Sequence, residues 1–152
     1  MRFVLIAAML AVPLAAPLPA AAKTAEVRAK TVPLSIQTRA GRRHAFKVEV
    51  ARTPQEQERG LMFRAPLPPN GGMIFPMSPP RLASFWMRNT PSPLDIIFIR
   101  PNGTIARIAA RTTPYSLDPI ESGEPVSAVL EIRGGRAAEL GIRPGDRVSW
   151  RG

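Results

Sequence analysis

The side chains with the clearest chemical potential lie in one stretch, residues 84–99, which reads SFWMRNTPSPLDIIFI. A polar segment here separates two apolar runs, and a turn with two prolines follows it. Polar groups between buried segments need hydrogen-bond or charge partners, because each unpaired one costs roughly 1–3 kcal/mol. The stretch therefore predicts either a specific internal network or a ligand site at the mouth of a core. Its candidate ligand-binding residues are Trp86, Arg88, Asn89, Thr90 and Asp95.

Asp95 interrupts an otherwise apolar strand, and strand alternation places it on the same face as Ile97. Because a buried ionised carboxylate is retained only when it is paired, Asp95 needs a partner. We expect that partner to be Arg88, seven residues earlier across the proline turn. One interpretation is a salt bridge that fixes the turn. The other is a pocket in which Arg88 and Asn89 bind a polar or anionic ligand beside Trp86, which would make the protein a binding or interaction module.

Two further hypotheses belong to other classes of protein. A hydrolase acting on an envelope glycan would use two carboxyl groups, and Asp95, Glu121 and Glu131 are its candidate catalytic residues. Such pairs stand about 5–9.5 Å apart, a distance that the sequence does not fix. A structural or stress-related envelope protein would have no ligand site.

Several kinds of site have no matching residues in the sequence. There is no cysteine, and the single histidine, His44, follows two arginines at the start of a predicted strand. A thiol nucleophile is therefore excluded, and a zinc site is not expected because the chain offers one imidazole and no thiolate as ligands. No G-x-S-x-G or phosphate-loop motif is present. The methionines at 62, 73, 77 and 87 are scattered over separate apolar segments, which favours core packing over copper binding. We expect no metal and no cofactor.

The start of the chain has the order of a secretory signal. Met1 and Arg2 precede an apolar run, and the small residues Ala20–Ala22 provide a cleavage site, so cleavage is predicted after Ala22. The run is shorter than a bilayer span, which predicts no stable membrane span after cleavage. Residues 23–30 form a predicted flexible lead-in, and residues 31–152 a single domain. The predicted location is periplasmic or secreted.

A formal net charge of +10 attracts anions, but the eighteen arginines against three lysines favour the alternative that arginine simply replaces lysine on solvated faces. Nucleic acid is not expected, because the predicted export separates the protein from it and no basic run exceeds Arg42–Arg43. The sequence therefore predicts an unidentified polar or anionic envelope ligand. The oligomeric state is not predicted.

Alternation, capping and turn residues predict a mostly antiparallel, barrel-like α+β domain. Thr53, Pro54 and Glu56 form a capping box that predicts a helix over 54–59, ended by Gly60, after which Leu61, Met62 and Phe63 return to the core. A second short helix is predicted over 136–140. Predicted strands cover 32–38, 44–51, 73–75, 82–87, 94–99, 104–110, 127–132 and 147–150, with loops at 78–80 and 111–125.

Six segments, taken in order, carry a family resemblance: VEVARTPQEQERGLMFR, GGMIFPM, FWMRNTPSPLDIIFI, NGTIARI, PVSAVLEIRGG and LGIRPGDRV. From about residue 46 to 150 the chain resembles the family called domain of unknown function 192, for which FWM-[KR]-NT followed by PLD is distinctive. The resemblance implies a compact, β-rich, often exported domain with no established activity. Arg133 departs from the pattern, because a small or amide residue is expected there.

Overall fold

Nine strands and two short helices form within residues 30–151, the part of the chain that the computed structural model describes. The predicted signal peptide and all but the last residue of the predicted lead-in lie outside these residues. In chain order the elements are β1 (Thr31–Gln37), β2 (Arg43–Val50), α1 (Pro54–Arg59), β3 (Gly71–Arg81), β4 (Ser84–Phe85), β5 (Leu94–Ile99), β6 (Ile105–Ala109), β7 (Ile120–Glu121), β8 (Val126–Arg133), α2 (Arg136–Leu140) and β9 (Arg147–Trp150).

Seven of these strands form one sheet in the order β6-β5-β8-β3-β2-β1-β9. Its pairs are antiparallel apart from β2 and β3, which run parallel. The sheet curls into a half-barrel, and its two edge strands approach each other, where Ile105 donates a backbone hydrogen bond to Asp146 at 2.8 Å. The predicted fold class, mostly β with two short helices, is confirmed. None of the helices in the described residues is long and apolar enough to cross a membrane.

The central strands are buried on both faces, which explains the apolar run of β5, where all six residues are buried. Side chains from alternate positions enter two separate clusters. The first cluster includes Ile36, Val48, Ile97, Leu130 and Ile132. The second cluster includes Phe75, Met87, Ile96, Phe98 and Val129. The second cluster is covered by α1, the turn after it and the segment around β4, so a cavity on this side can combine strand and loop residues.

Helix α1 forms at the predicted residues and with the predicted cap. The Thr53 hydroxyl accepts a hydrogen bond from the Glu56 amide at 3.2 Å, and the Glu56 carboxylate accepts one from the Thr53 amide at 2.9 Å. Gly60 follows with a φ of 45°, a value that favours glycine. Leu61 returns to the core as predicted, but the prediction for Phe63 is wrong, because its side chain is 72% exposed.

The region between residues 71 and 87 differs most from the predicted elements. Strand β3 extends through the predicted loop at 78–80, and its register with β8 shifts between Pro76 and Arg81. Prolines are tolerated at such an irregularity because their missing N–H groups are not needed by the ladder there. The predicted strand over 82–87 is reduced to β4, which pairs with β7 inside the predicted loop 111–125.

Candidate ligand-binding cavity

A cavity of about 350 Å³ lies beside Trp86, between α1 with its following turn and the end of β3 with β4. We call it the Trp86 cavity. Its exposed residues, the rim, include Glu58, Arg59, Arg81, Trp86 and Arg88. Its buried residues, the floor, include Leu61, Phe75, Met77, Thr90 and Glu131. The volume is at the lower end of the range for small-molecule sites.

Trp86 and Arg88 stand together at the rim because the residue between them points the other way. Met87 is fully buried, and its amide donates a hydrogen bond to the Ser116 carbonyl at 2.9 Å. Alternation in this extended segment therefore turns both neighbours outward. The guanidinium carbon of Arg88 lies 5.4 Å from the centroid of the Trp86 ring, a cation–π contact. The pair offers a flat apolar surface next to a positive charge.

Asn89 and Thr90 form the turn that ends this segment. Asn89 has a φ of 53°, in the left-handed region that Asn tolerates better than most residues. Its carbonyl accepts a hydrogen bond from the Phe63 amide at 2.8 Å, which ties the turn after α1 to the cavity wall. The Thr90 hydroxyl donates to the Arg88 carbonyl at 3.1 Å. Thr90 lines the cavity. Asn89 does not line it, but its backbone hydrogen bond holds the turn after α1 in place.

The predicted partnership between Asp95 and Arg88 is wrong. The Asp95 carboxylate is fully buried and accepts three backbone hydrogen bonds, each of 2.8 Å, from the amides of Arg111, Gly135 and Ala137. Two of these amides lie at the start of α2, where free N–H groups and the helix dipole favour a negative charge. Asp95 therefore joins α2 to the loop after β6, and it takes no part in the Trp86 cavity.

The three carboxylates proposed for hydrolysis do not converge. Asp95 pairs in register with Ile132, whereas Glu131 pairs with Ile96, so the two acids point to opposite faces of the sheet. Glu121 is exposed on β7 and is absent from the cavity lining. The structure thus brings together Trp86, Arg88, Thr90 and Glu131 from the predicted residues, and leaves Asn89, Asp95 and Glu121 outside.

Glu131 has an unusual environment for a carboxyl group. It lies on β8 between Met73 of β3 and Ile96 of β5, and its side chain is 5% exposed. Among residues 30–151 no side chain or backbone group forms a hydrogen bond or ion pair with its carboxyl oxygens. Burial without a partner raises the pKa of Glu131 to about 8, because the charged form loses its hydration. At neutral pH this group is a protonated acid that faces the cavity.

The rim is positively charged. Arg59, Arg81 and Arg88 line the cavity, and within the described part of the chain none of them forms a salt bridge with a carboxylate. Glu58 is the acidic residue at the same rim. Arg59 and Arg81 were not predicted from the sequence. The only signal for Arg59 was its position in the last turn of α1, beside Gly60, and no signal marked Arg81.

A larger groove of about 1520 Å³ runs beside Phe63 and the first two strands. Its acidic residue, Glu49, is held by Arg64 in a salt bridge of 2.8 Å. The Trp86 cavity has the smaller volume but contains the unpartnered acid, the arginines and the stacked tryptophan, and we therefore take it as the candidate site. In residues 30–151 no cluster of three His, Asp or Glu side chains could hold a metal ion.

Comparisons with other proteins agree with this architecture. Residues 35–150 match the model of domain of unknown function 192 (DUF192), described as an uncharacterized ACR. No protein among the curated sequences matches the chain. A crystal structure from Novosphingobium aromaticivorans DSM 12444, of a protein of unknown function, is 47% identical with a TM-score of 0.77, and the match covers 90% of this chain and 94% of that one.

A second crystal structure, from Sinorhizobium meliloti 1021, is of a protein provisionally assigned as a transcription regulator. It is 40% identical with a TM-score of 0.79, and the match covers 82% of this chain and 97% of the other. These two structures and the family model span nearly all of the described sheet. On this similarity, this chain belongs to the domain of unknown function 192 family.

Proposed function

We propose that this protein is an exported binding module that holds a polar or anionic ligand in the Trp86 cavity. The observation that carries the proposal is the meeting of a stacked Trp86–Arg88 pair, two further unpaired arginines and an unpartnered buried acid in one small cavity. Small-molecule sites commonly combine apolar walls with a few polar groups that fix the ligand's orientation. The N-terminal sequence supports export, and the net charge of +10 supports an anionic ligand.

The chemistry of the rim favours binding over hydrolysis. An arginine without a carboxylate partner can form two parallel hydrogen bonds with a carboxylate or phosphate of a ligand. Of the three carboxylates predicted for glycan hydrolysis, only Glu131 lines the cavity, and the other acid there, Glu58, lies at the exposed rim beside Arg59. The stacking contact also holds Arg88 in place, which lowers the entropy that ligand binding must overcome.

Thermal melting with a panel of anions tests this proposal. The panel contains acidic oligosaccharides, an acidic peptide, phosphatidylglycerol vesicles, inorganic phosphate and a DNA duplex, the last because the S. meliloti protein is assigned as a regulator. A ligand at one hundred times its Kd adds about 2.7 kcal/mol to the unfolding free energy and raises the melting midpoint. We expect at least one anion of the panel other than DNA to raise the melting midpoint.

Matched variants locate the binding. Arg88→Ala and Trp86→Ala should lower the ligand-induced rise, whereas Arg143→Ala should not, because Arg143 is exposed and lies outside the cavity. If Arg143→Ala lowers the ligand-induced rise of the melting midpoint as much as the cavity variants do, net charge alone drives binding. The proposal would be contradicted if the ligand still raised the melting midpoint of both cavity variants. It would also be contradicted if only DNA raised the midpoint of the wild type.

A further inference from the structure

The floor of the Trp86 cavity contains hydrogen-bonding capacity that the folded chain does not use. The Glu131 carboxyl has no partner among the described residues, although it is almost completely buried. The carboxyl oxygens are not among the fully enclosed unsatisfied atoms of the described residues, so water or a ligand in the cavity can reach them. Here the free carboxyl lines a cavity of about 350 Å³, so a ligand could reach it.

The protonation state of Glu131 restricts the groups that it can bind. Because burial raises the pKa of Glu131 to about 8, the carboxyl is neutral at pH 7 and can donate one hydrogen bond while accepting another. A hydroxyl group matches this pattern, since it also donates and accepts. An ammonium group does not, because it would have to pass three rim arginines and needs an ionised partner.

The walls supply the apolar part of the site. Phe85 lines the cavity, and its ring is fixed by edge-to-face contacts with Phe75 and Phe98, with centroids 5.1 Å and 6.3 Å away. Trp86 adds a half-exposed ring at the rim. Flat rings of this kind pack against the C–H faces of a sugar ring while its hydroxyls point to polar groups.

The rim supplies the charge. Arg59, Arg81 and Arg88 are without carboxylate partners in the described chain, and Glu58 reduces the local excess to two positive charges. A planar carboxylate on the ligand fits the fork of an arginine side chain. A ligand that satisfies floor, walls and rim together therefore carries hydroxyls, an apolar ring face and a carboxylate.

We infer that the ligand is an acidic saccharide of the hexuronic acid class, with its hydroxyls on Glu131, a ring face on Phe85 or Trp86, and its carboxylate on the rim arginines. This inference rests on the proposed function and names the ligand of the same site. The sugar is either free or one unit of a polysaccharide.

Calorimetric titration of the full folded domain at pH 6.5 tests the inference. The probes are a hexuronic acid monomer, its short oligomer, the neutral hexose oligomer of the same linkage, and inorganic phosphate. We expect the acidic oligomer to bind at least about tenfold tighter than the neutral one, a difference typical of one good interaction. Comparison of monomer with oligomer distinguishes a free sugar from a polysaccharide as the source.

Two substitutions at Glu131 separate hydrogen bonding from packing. Glu131→Leu removes both the donor and the acceptor and should weaken binding of acidic and neutral sugars about tenfold. Glu131→Gln keeps a hydrogen-bond donor and an acceptor, and it should retain most of the affinity at pH 6.5. Arg88→Ala should weaken only the acidic sugar. Melting curves of each variant confirm that it is folded.

The pH profile gives an independent readout. In the wild type, affinity should fall as the pH rises from 6.5 to 9, because ionised Glu131 loses its donor and repels the ligand carboxylate. Glu131→Gln should show no such fall. The charged groups that face Glu131 across the cavity are Glu58, Arg59, Arg81 and Arg88.

The outcomes distinguish this inference from the function on which it rests. If phosphate or an acidic peptide binds in the cavity and uronic acids do not, or if Glu131→Leu binds sugars as tightly as the wild type, the saccharide assignment is overturned while the binding function stands. If no anion binds in a way that depends on Arg88 and Trp86, both fail.

Discussion

Two buried carboxylates on neighbouring strands have opposite environments. Asp95 accepts three backbone hydrogen bonds at 2.8 Å, whereas Glu131 accepts none and lines the Trp86 cavity. A fully bonded carboxylate fixes the chain around it, and an unbonded one keeps its capacity for a ligand. We therefore expect Asp95 to contribute to folding, whereas the proposed function gives Glu131 a role in binding.

Asp95→Asn should lower the unfolding free energy by about 2–4 kcal/mol, because the new amide cannot accept from all three N–H groups and one buried donor loses its partner. Urea denaturation measures the loss. Asp118→Asn, at an exposed site, serves as the control and should change stability by less than about 0.5 kcal/mol. The folded fraction of Asp95→Asn should still bind ligand, and a selective loss of binding would contradict the assignment.

Glu131 should make the protein less stable as the pH rises. The pKa of Glu131 is about 8 in the folded chain, against an ordinary value of 4.5. Between these values the unfolded chain releases the proton and the folded chain keeps it, so the unfolding free energy falls by up to about 1.4 kcal/mol per pH unit. Stability from this group is therefore complete below pH 4.5 and is lost as the pH approaches 8.

Urea denaturation of wild type and Glu131→Gln between pH 4.5 and 8.5 measures this contribution. The variant should become the more stable protein toward pH 8, by an amount on the order of 4 kcal/mol, because Gln stays neutral throughout. Taking the difference between the two proteins cancels the exposed carboxylates that titrate in both. If the unfolding free energies of the two proteins changed in parallel with pH over the whole range, Glu131 would not be held as a protonated acid.

At the scale of elements, short pieces of chain rather than the main sheet position the rim. Helix α1 has only six residues, yet it supplies Glu58 and Arg59 to the cavity. A helix this short is not stable on propensity alone, so its cap and its attachments to the sheet hold it. The Gln57 amide donates to the carbonyls of Ala51 and Pro76 at 3.1 Å and 2.9 Å, which fixes α1 across the strands.

Thr53→Ala should cost about 1 kcal/mol, because it removes the hydroxyl that caps α1. The expected fall in the melting midpoint is about 4 °C for a domain of this size. Thr113→Ala, at an exposed loop position, is the control and should leave the midpoint unchanged. Because Arg59 then loses its fixed position, ligand affinity should also fall slightly, and equal midpoints for the two variants would contradict the role of the cap.

Elements with local signals were predictable from the sequence, and contacts over long distances were not. The capping box at Thr53 depends on adjacent residues, so helix α1 was predicted correctly. The partners of Asp95 lie up to 42 residues away and are backbone amides, which no side-chain pattern reveals. Residues 78–80 were misread because prolines usually end a strand, and here a register shift accommodates them.

The candidate site was predictable only in part for the same reason. Trp86 and Arg88 were predicted because they lie two residues apart in one stretch, whereas Glu131 was predicted only as a candidate catalytic carboxylate. Arg59 and Arg81 reach the cavity from α1 and β3, so only the packing of these elements brings them beside Arg88. The register between β5 and β8 places Asp95 and Glu131 on opposite faces of the sheet. This register depends on the whole sheet and not on the local sequence.

At the scale of the whole molecule, the half-barrel provides a stable base and the site lies on its loop-covered face. The first hydrophobic cluster holds the curled sheet together, and the second lies beneath the Trp86 cavity. This division allows substitutions at the rim to alter binding without unfolding the sheet. The central claim is therefore that ligand binding is located at Trp86.

The most direct test is a titration of Trp86 fluorescence in a Trp150→Phe variant, which leaves Trp86 as the sole tryptophan because the chain has two. The titrant is the acidic oligosaccharide, with calorimetry on the same samples. We predict a saturable change in Trp86 emission with the calorimetric Kd, and its loss in the Arg88→Ala background. Saturable calorimetric binding with unchanged Trp86 emission would place the ligand elsewhere on the protein and contradict the account.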